Sequence, residues 1–363
     1  MKHPTWRKHF KNFAVTSSRK LSLKGKMNCF IKPLIQPMTP ILVNRSQISD
    51  LLWNNHIQRS QQSVVYAYSF YLDSVCIEWK ALVWPSEEDY QVVMPLPVRT
   101  KAGKMIVYQP LFCQYLGLFT VNSLTSPQVE AFLTSLSSHF SYISAYSFNP
   151  DNYRLVNIGS FRFNELKFQE QSTYYLRLGH DYSKIYNHYS KDRQRNVERS
   201  RRYNWTLEQS TDINPLIHLF KENHASRIFG GVNPDAYARL QLLFERLNLH
   251  EKAEIWYAVK EGRIHAGILL VRNCNRIIYL FNAADKIGRS GNARTFLLDC
   301  YFKVHASKPM IFDFESPEVS SIASFYNSFG SIENSYMMIR KNQLVFPFRQ
   351  IQEWRRNLML KTR

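Results

Sequence analysis

The chain has 363 residues, 45% apolar and 14% aromatic, which is enough to bury two cores of ordinary domain size and too much for a disordered chain. Its net charge is +19, of which residues 1–26 hold eight charges and residues 166–363 eleven, while residues 27–165 are neutral. An anionic ligand is therefore expected mainly in the second half. Five scattered cysteines (Cys29, Cys76, Cys113, Cys274, Cys300) with no CxxC pair argue against a disulfide scaffold and a structural zinc site. The longest uncharged run, 105–129, is too polar to span a bilayer, so a cytoplasmic protein with no membrane span is expected.

Residues 1–26 form a basic leader without an apolar signal core, and a start at Met27 is preferred, so the leader is left out of the fold. The first half then predicts a helix over 46–59, an aromatic segment over 64–73, and strands over 79–84, 91–99 and 105–109. Turn formers at 85–89 and 101–103 separate those strands, and a helix over 126–140 and a strand over 141–148 complete the half. The second half repeats the plan. A strand is expected over 173–178, helices over 191–203, 213–227 and 234–247, and a three-strand meander over 254–260, 264–272 and 276–282. A glycine-containing turn over 285–293, a helix over 292–306, a strand over 310–315, a helix over 317–329 and a strand over 335–340 close it. The repeated meander, helix and strand predict a duplicated α/β domain with its boundary near 161–172.

Three pieces of the second half could hold chemistry. The turn before the 292–306 helix contains Lys286, Gly288, Arg289, Ser290, Gly291, Asn292 and Ala293, and its glycines, cations and helix amides suit a phosphate. An ordinary glycine-containing connection is the alternative. On the strand Phe312-Asp-Phe-Glu315, alternation puts Asp313 and Glu315 on one face, where either could take a proton from an amine or pair with a basic neighbour. The last helix has Ser316 as N-cap, Pro317 in its first turn and Gly330 after its end, and turns Tyr326 inward, as a core tyrosine or a proton donor. Separately, Lys191, Arg195, Arg199 and Arg202 make a helical stripe that suits RNA or other phosphates, or is simply solvated. Scattered histidines show no ligand spacing, and no hydrolase, metalloprotease or NTPase motif occurs, so no metal is expected.

The run Ile322-Ala-Ser-Phe-Tyr-Asn-Ser-Phe-Gly-Ser331 resembles the A-x-x-φ-Y-x-x-φ-G-F helix of the GNAT acyltransferase superfamily, and Gly288-Arg-Ser-Gly-Asn-Ala293 is similar to its acyl-CoA pyrophosphate loop. Gly288 stands where that family has Gln or Arg, and Ser331 where it has Phe. The segments Val65–Val75, Val93–Pro97, Tyr108–Phe119 and Phe312–Ser316 resemble a branch with two such domains in tandem, the Fem-like peptidoglycan-bridge transferases and their bacterial relatives.

The resemblance implies a mixed α/β fold of two tandem GNAT-like domains, each a mostly antiparallel sheet flanked by helices. They would span 27–165 and 166–345, with a basic helix or tail over 346–363. It implies an acyltransferase that moves an acyl group from acyl-CoA or acetyl-CoA, or from aminoacyl-tRNA, to an amine. A cell-wall or peptide precursor is a candidate acceptor. Tyr326 would protonate the leaving group, Asp313 or Glu315 would accept the amine proton, and Tyr108, Gln109, Gln114 and Asn282 would line the acceptor cleft. A non-catalytic binding protein on a degenerate tandem fold is the alternative that the two motif departures raise.

Overall fold

The computed structural model describes residues 38–101, 103–158, 163–228, 230–315 and 319–361. The leader, Cys29, Ser316 and Pro317 lie outside them. The chain begins with β1 (Ile41–Asn44), α1 (Asp50–Arg59) and α2 (Ser69–Val75), then β2 (Glu78–Pro85), β3 (Tyr90–Lys101) and β4 (Lys104–Val107). The short β5 (Phe119–Thr120), α3 (Ser126–His139), β6 (Tyr142–Ser147), α4 (Tyr153–Ile158) and β7 (Leu166–Arg177) follow. Next come α5 (Tyr182–Asn187), α6 (Lys191–Arg201), β8 (Thr206–Ser210), α7 (Asn214–Asn223) and α8 (Pro234–Leu249). A meander of β9 (Ala253–Lys260), β10 (Arg263–Asn273) and β11 (Arg276–Ala284) leads to α9 (Lys286–Ser290) and α10 (Ala293–His305). The chain closes with β12 (Ile311–Asp313), α11 (Ser320–Asn327), β13 (Ile332–Asn342) and α12 (Phe348–Lys361).

Local chemistry accounts for several of these boundaries. A Thr125/Gln128 capping box with a proline in the first turn starts α3, and the Ser190 hydroxyl accepts the Arg193 amide at the start of α6. Gly330, at φ +76°, turns the chain after α11, and a Cβ there would meet His188 at 2.8 Å. Two expectations change. The turn over 285–293 contains one helical turn, α9, because the Asp285 side chain accepts the Gly288 amide and caps it. Strand β7 begins at Leu166, earlier than its apolar alternation suggested, because β13 pairs with it all the way from Tyr175 to Leu166.

All the strands join in one sheet of order β1-β2-β3-β4-β6-β13-β7-β12-β11-β10-β9-β8, with β5 on β3. The pairs β4·β6 and β11·β12 are parallel and the rest antiparallel. The order is palindromic: β1 to β4 correspond to β8 to β11, β6 to β12, and β7 to β13. At the centre, β13 lies between β6 and β7, and β7 lies between β13 and β12. With a second half over 166–345, β7, β12 and β13 all belong to it, and β13 also pairs with β6 of the first half.

Period-two alternation sorts the second meander between two cores. Ile255, Tyr257, Leu269, Val271, Ile278 and Leu280 join the core shared with α7, α8 and the first half. Trp256, Ala258, Ile268, Leu270, Ile277 and Tyr279 face a second core under α6, α10 and α11. Among the described residues, no helix is long and apolar enough to cross a membrane. Phe312 is fully buried and packs edge-on against Phe302 at 4.8 Å and Phe314 at 4.8 Å. Phe312→Ala should therefore cost about 3–5 kcal/mol, read as a fall in urea-unfolding free energy.

Candidate active site

Strand β12 ends at Asp313, opposite Ile278, whereas β11 runs on to Ala284. Beyond that last pair the two parallel strands no longer pair, and a cleft of about 390 Å³ is lined there by Phe220, His224, Tyr279, Asn282, Arg294, Ser321, Ile322, Phe325 and Tyr326. Tyr326 is 9% exposed; its ring stacks on Phe314 at 4.7 Å and meets Tyr279 edge-on at 6.3 Å. Burial holds its phenol far above the ordinary range, Tyr279, Glu315 and Asp313 push it further, and Arg294 pulls it down. Asn282 accepts a hydrogen bond from Arg294 at 2.8 Å. Two residues singled out by sequence, Tyr326 and Asn282, thus share one cleft.

The carboxylates at the end of β12 have different surroundings. Asp313 is fully buried, and its Oδ1 accepts from Thr173 at 2.8 Å and from the Glu315 amide at 2.9 Å. Its Oδ2 accepts from the Tyr115 hydroxyl and faces Arg276 at 3.5 Å. Burial raises the Asp313 carboxyl, while Arg276 and its hydrogen-bond donors pull the other way. Arg276 also donates to Tyr175 and Tyr115. Glu315, only partly buried, has φ +63°, a conformation that a residue with a Cβ adopts only at a cost, and its carboxylate accepts from the Tyr66 hydroxyl. Burial and, secondarily, Asp313 push the Glu315 carboxyl up to about 8, against the pull of Tyr66.

The glycines of the expected phosphate turn are spent on the chain itself. A Cβ on Gly288 would lie 2.1 Å from the His265 carbonyl, and one on Gly291 would lie 2.4 Å from Trp205 and 2.6 Å from Tyr203. The Gly288 amide is bonded to Asp285, which also holds His265 at 2.8 Å, and Arg289 donates to the Ala284 carbonyl at 2.6 Å. Lys286 and Ser290 are exposed, and Asn292, in the left-handed region, opens α10 ahead of the buried Ala293. In the first half, Gln109 donates to the Cys113 carbonyl at 2.6 Å and accepts from the Ser147 amide, latching its own loop. Tyr108 lies under Arg99 at 4.9 Å, and both polar atoms of the Gln114 amide are buried without a hydrogen-bond partner. None of these three lines the Tyr326 cleft; their loop instead supplies Leu111 and Phe112 to a neighbouring apolar cleft of about 270 Å³.

Lys191, Arg195, Arg199 and Arg202 share one exposed groove of about 590 Å³ on α6 with Tyr186. Arg193, on the same helix, is instead buried at 6% exposure. Sequence reasoning missed Tyr66, Tyr115, Thr173, Tyr175 and Arg276; the tyrosine-rich run from Val65 was a visible signal, but its partner Glu315 lies 249 residues from Tyr66. Among the described residues, no group of three or more His, Cys, Asp or Glu could hold a metal. Arg276→Leu would strand the buried Asp313 charge and should cost about 3–5 kcal/mol in urea unfolding, much of it recovered by adding Asp313→Asn.

Neither a family model nor a curated protein sequence matches the chain. Among solved structures it is similar to FemX, with a TM-score of 0.59 at 11% identity over 84% of this chain and 98% of that one. A conserved protein of unknown function from Bacteroides thetaiotaomicron has a TM-score of 0.53 at 10% identity over 84% and 99%. The likeness at such identity lies in the fold: the chain has a Fem-like fold.

Proposed function

We propose that this protein is an acyltransferase in which an amine attacks a thioester or aminoacyl ester within the Tyr326 cleft. The observation that carries the reading is the opening between β11 and β12, where Tyr326, Asn282 and Arg294 line one cleft and Glu315, two residues beyond the end of β12, is near enough to act on the Tyr326 phenol. Holding the amine against the carbonyl would supply most of the rate, because aminolysis of an activated ester depends chiefly on alignment. Glu315, with its carboxyl near 8, suits the base that removes the amine proton. Asp313 is the weaker candidate, since both its oxygens are already engaged. The new C–N bond forms as the C–S or C–O bond breaks, and Tyr326 gives its proton to the departing sulfur or oxygen. Its high pKa keeps that proton in place until then, and Arg294 favours the phenolate left behind.

Aminoacyl-tRNA is the donor this geometry favours over acyl-CoA. The Gly288 amide that a pyrophosphate would use already serves Asp285, whereas Lys191, Arg195, Arg199 and Arg202 line a single open groove. The tandem division into 27–165 and 166–345 remains part of this proposal, with β13 of the second half joined to β6 of the first. The acceptor is a small or peptide-like amine.

Tyr326→Phe should keep the fold and lower single-turnover rate by ~10²–10⁴; a stable variant with wild-type turnover removes Tyr326 from the mechanism. The base must be deprotonated, so turnover should rise with pH, about tenfold per unit below pH 8, and level off above it. Tyr66→Phe, which removes the bond stabilising the carboxylate, should move that rise to higher pH, and Glu315→Gln should abolish it. Reversing Arg195 and Arg199 to Glu should weaken tRNA binding and flatten its salt dependence, by about 0.7–0.9 in log–log slope for each phosphate no longer neutralised. Absence of tRNA binding by the wild type at low salt, with stabilisation by acetyl-CoA, would return the donor to CoA. Absence of both would favour the non-catalytic reading.

A further inference from the structure

Arg193 and Arg276 are similarly buried, at 6% and 8% exposure, but only Arg276 faces carboxylates among the described residues, those of Asp313 and Asp151. Arg193 donates to two neutral hydroxyls, Ser328 at 2.9 Å and Thr295, and lies over the rings of Phe325 at 4.3 Å and Phe329 at 4.4 Å. Arg294 lies over the same Phe325 ring at 5.5 Å and bonds the neutral Asn282. Among the described residues, neither Arg193 nor Arg294 pairs with a carboxylate, although Arg45, Arg201 and Arg276 each do. Two guanidinium groups thus flank one aromatic ring with no carboxylate between them. Burial and, secondarily, repulsion from Arg294 lower the Arg193 pKa to about 10.

A third group points to what this positive pair receives. The Tyr279 hydroxyl is buried beside the Arg294 side chain, and its residue, 3% exposed, lines the same cleft as Arg294 and Asn282. Arg294 is near enough to pull the Tyr279 phenol down against the larger effect of burial, so the two groups face one space. Arg294 is half-buried and pairs with no carboxylate among the described residues, and an oxyanion placed against it and the Tyr279 hydroxyl would supply that missing partner.

We propose that Arg294 and Tyr279 form an oxyanion subsite for a carboxylate or phosphate of the bound substrate, with Arg193 supplying positive potential from behind Phe325. The guanidinium of Arg294 offers the planar donor pair that either oxyanion accepts, and the Tyr279 hydroxyl adds a third donor. The subsite is separate from the α9 turn and from the exposed groove on α6. It rests on the acyl-transfer reading only for the statement that the oxyanion belongs to the substrate.

The experiment measures melting temperature of the full chain against sodium phosphate, sodium acetate and sodium chloride at matched ionic strength, for wild type, Arg294→Gln, Tyr279→Phe and the exposed control Arg263→Gln. Stabilisation of the wild type and Arg263→Gln by phosphate or acetate beyond chloride is expected. Arg294→Gln should weaken apparent affinity about 10- to 100-fold and Tyr279→Phe about tenfold. A response to phosphate but not acetate assigns the oxyanion as phosphate, and the converse as carboxylate. No ion-specific stabilisation of the wild type, or a full response in Arg294→Gln, overturns the subsite. Anion binding that survives alongside turnover indifferent to Tyr326 would instead overturn the acyl-transfer reading and leave the subsite standing.

Discussion

The buried pair Arg276–Asp313 is the constraint on which the rest of the architecture depends. Asp313 is on the third residue of β12, where it receives Thr173 from β7, Arg276 from the start of β11 and Tyr115 from the first half. Taking two charges out of water costs several kcal/mol for each ion, and their attraction offsets this only when the remaining lone pairs and protons are also satisfied. Here they are. Thr173 and the Glu315 amide complete the carboxylate, and Tyr115 and Tyr175 complete the guanidinium. That requirement brings three strands and a distant loop to one point, and it holds the chain where the strained Glu315 must turn.

The central strands give this point its reach. Because β13 lies between β6 and β7, the sheet runs without a break from the first half of the sequence into the second. A displacement of either half therefore disturbs the β13·β7 pairing and the side chains around Asp313 together. The same arrangement leaves β12 short. Its three residues pair with the beginning of β11, and the remainder of β11 diverges to form the floor of the Tyr326 cleft. Chemistry-bearing groups gather where backbone pairing ends, since an unpaired parallel strand is the place at which a ligand can enter between strands.

Burial then assigns different behaviour to residues of the same type. The strand ends at Asp313, so Glu315 does not share a strand face with it as alternation predicted but turns in the left-handed region two residues on; Asp313 is saturated with donors, and Glu315 keeps a single hydroxyl, Tyr66. Along α6, Arg195 and Arg199 face solvent while Arg193, between them and the second core, is enclosed by Phe325 and Phe329. The glycines of the α9 turn follow the same logic. Gly288 and Gly291 are small because His265 backbone and the stacked Tyr203 and Trp205 rings occupy the space a side chain would need.

What the amino-acid order determined by itself was local. Period-two and period-3.6 patterns placed the meanders, the 126–140 helix and the inward face of Tyr326, because side-chain direction follows directly from backbone geometry. The spacing of Lys191, Arg195, Arg199 and Arg202 determined a common face for the same reason. Tertiary structure decided everything that joins distant residues. Tyr115 and Asp313 are 198 residues apart and Arg193 and Thr295 are 102 apart, and neither pairing leaves a periodic trace. Whether an arginine is solvated or buried, whether a carboxylate is a base or one half of an ion pair, and whether a glycine serves a ligand or a neighbouring ring depend on desolvation and contact. Those are properties of the packed chain, and no single stretch of it contains them.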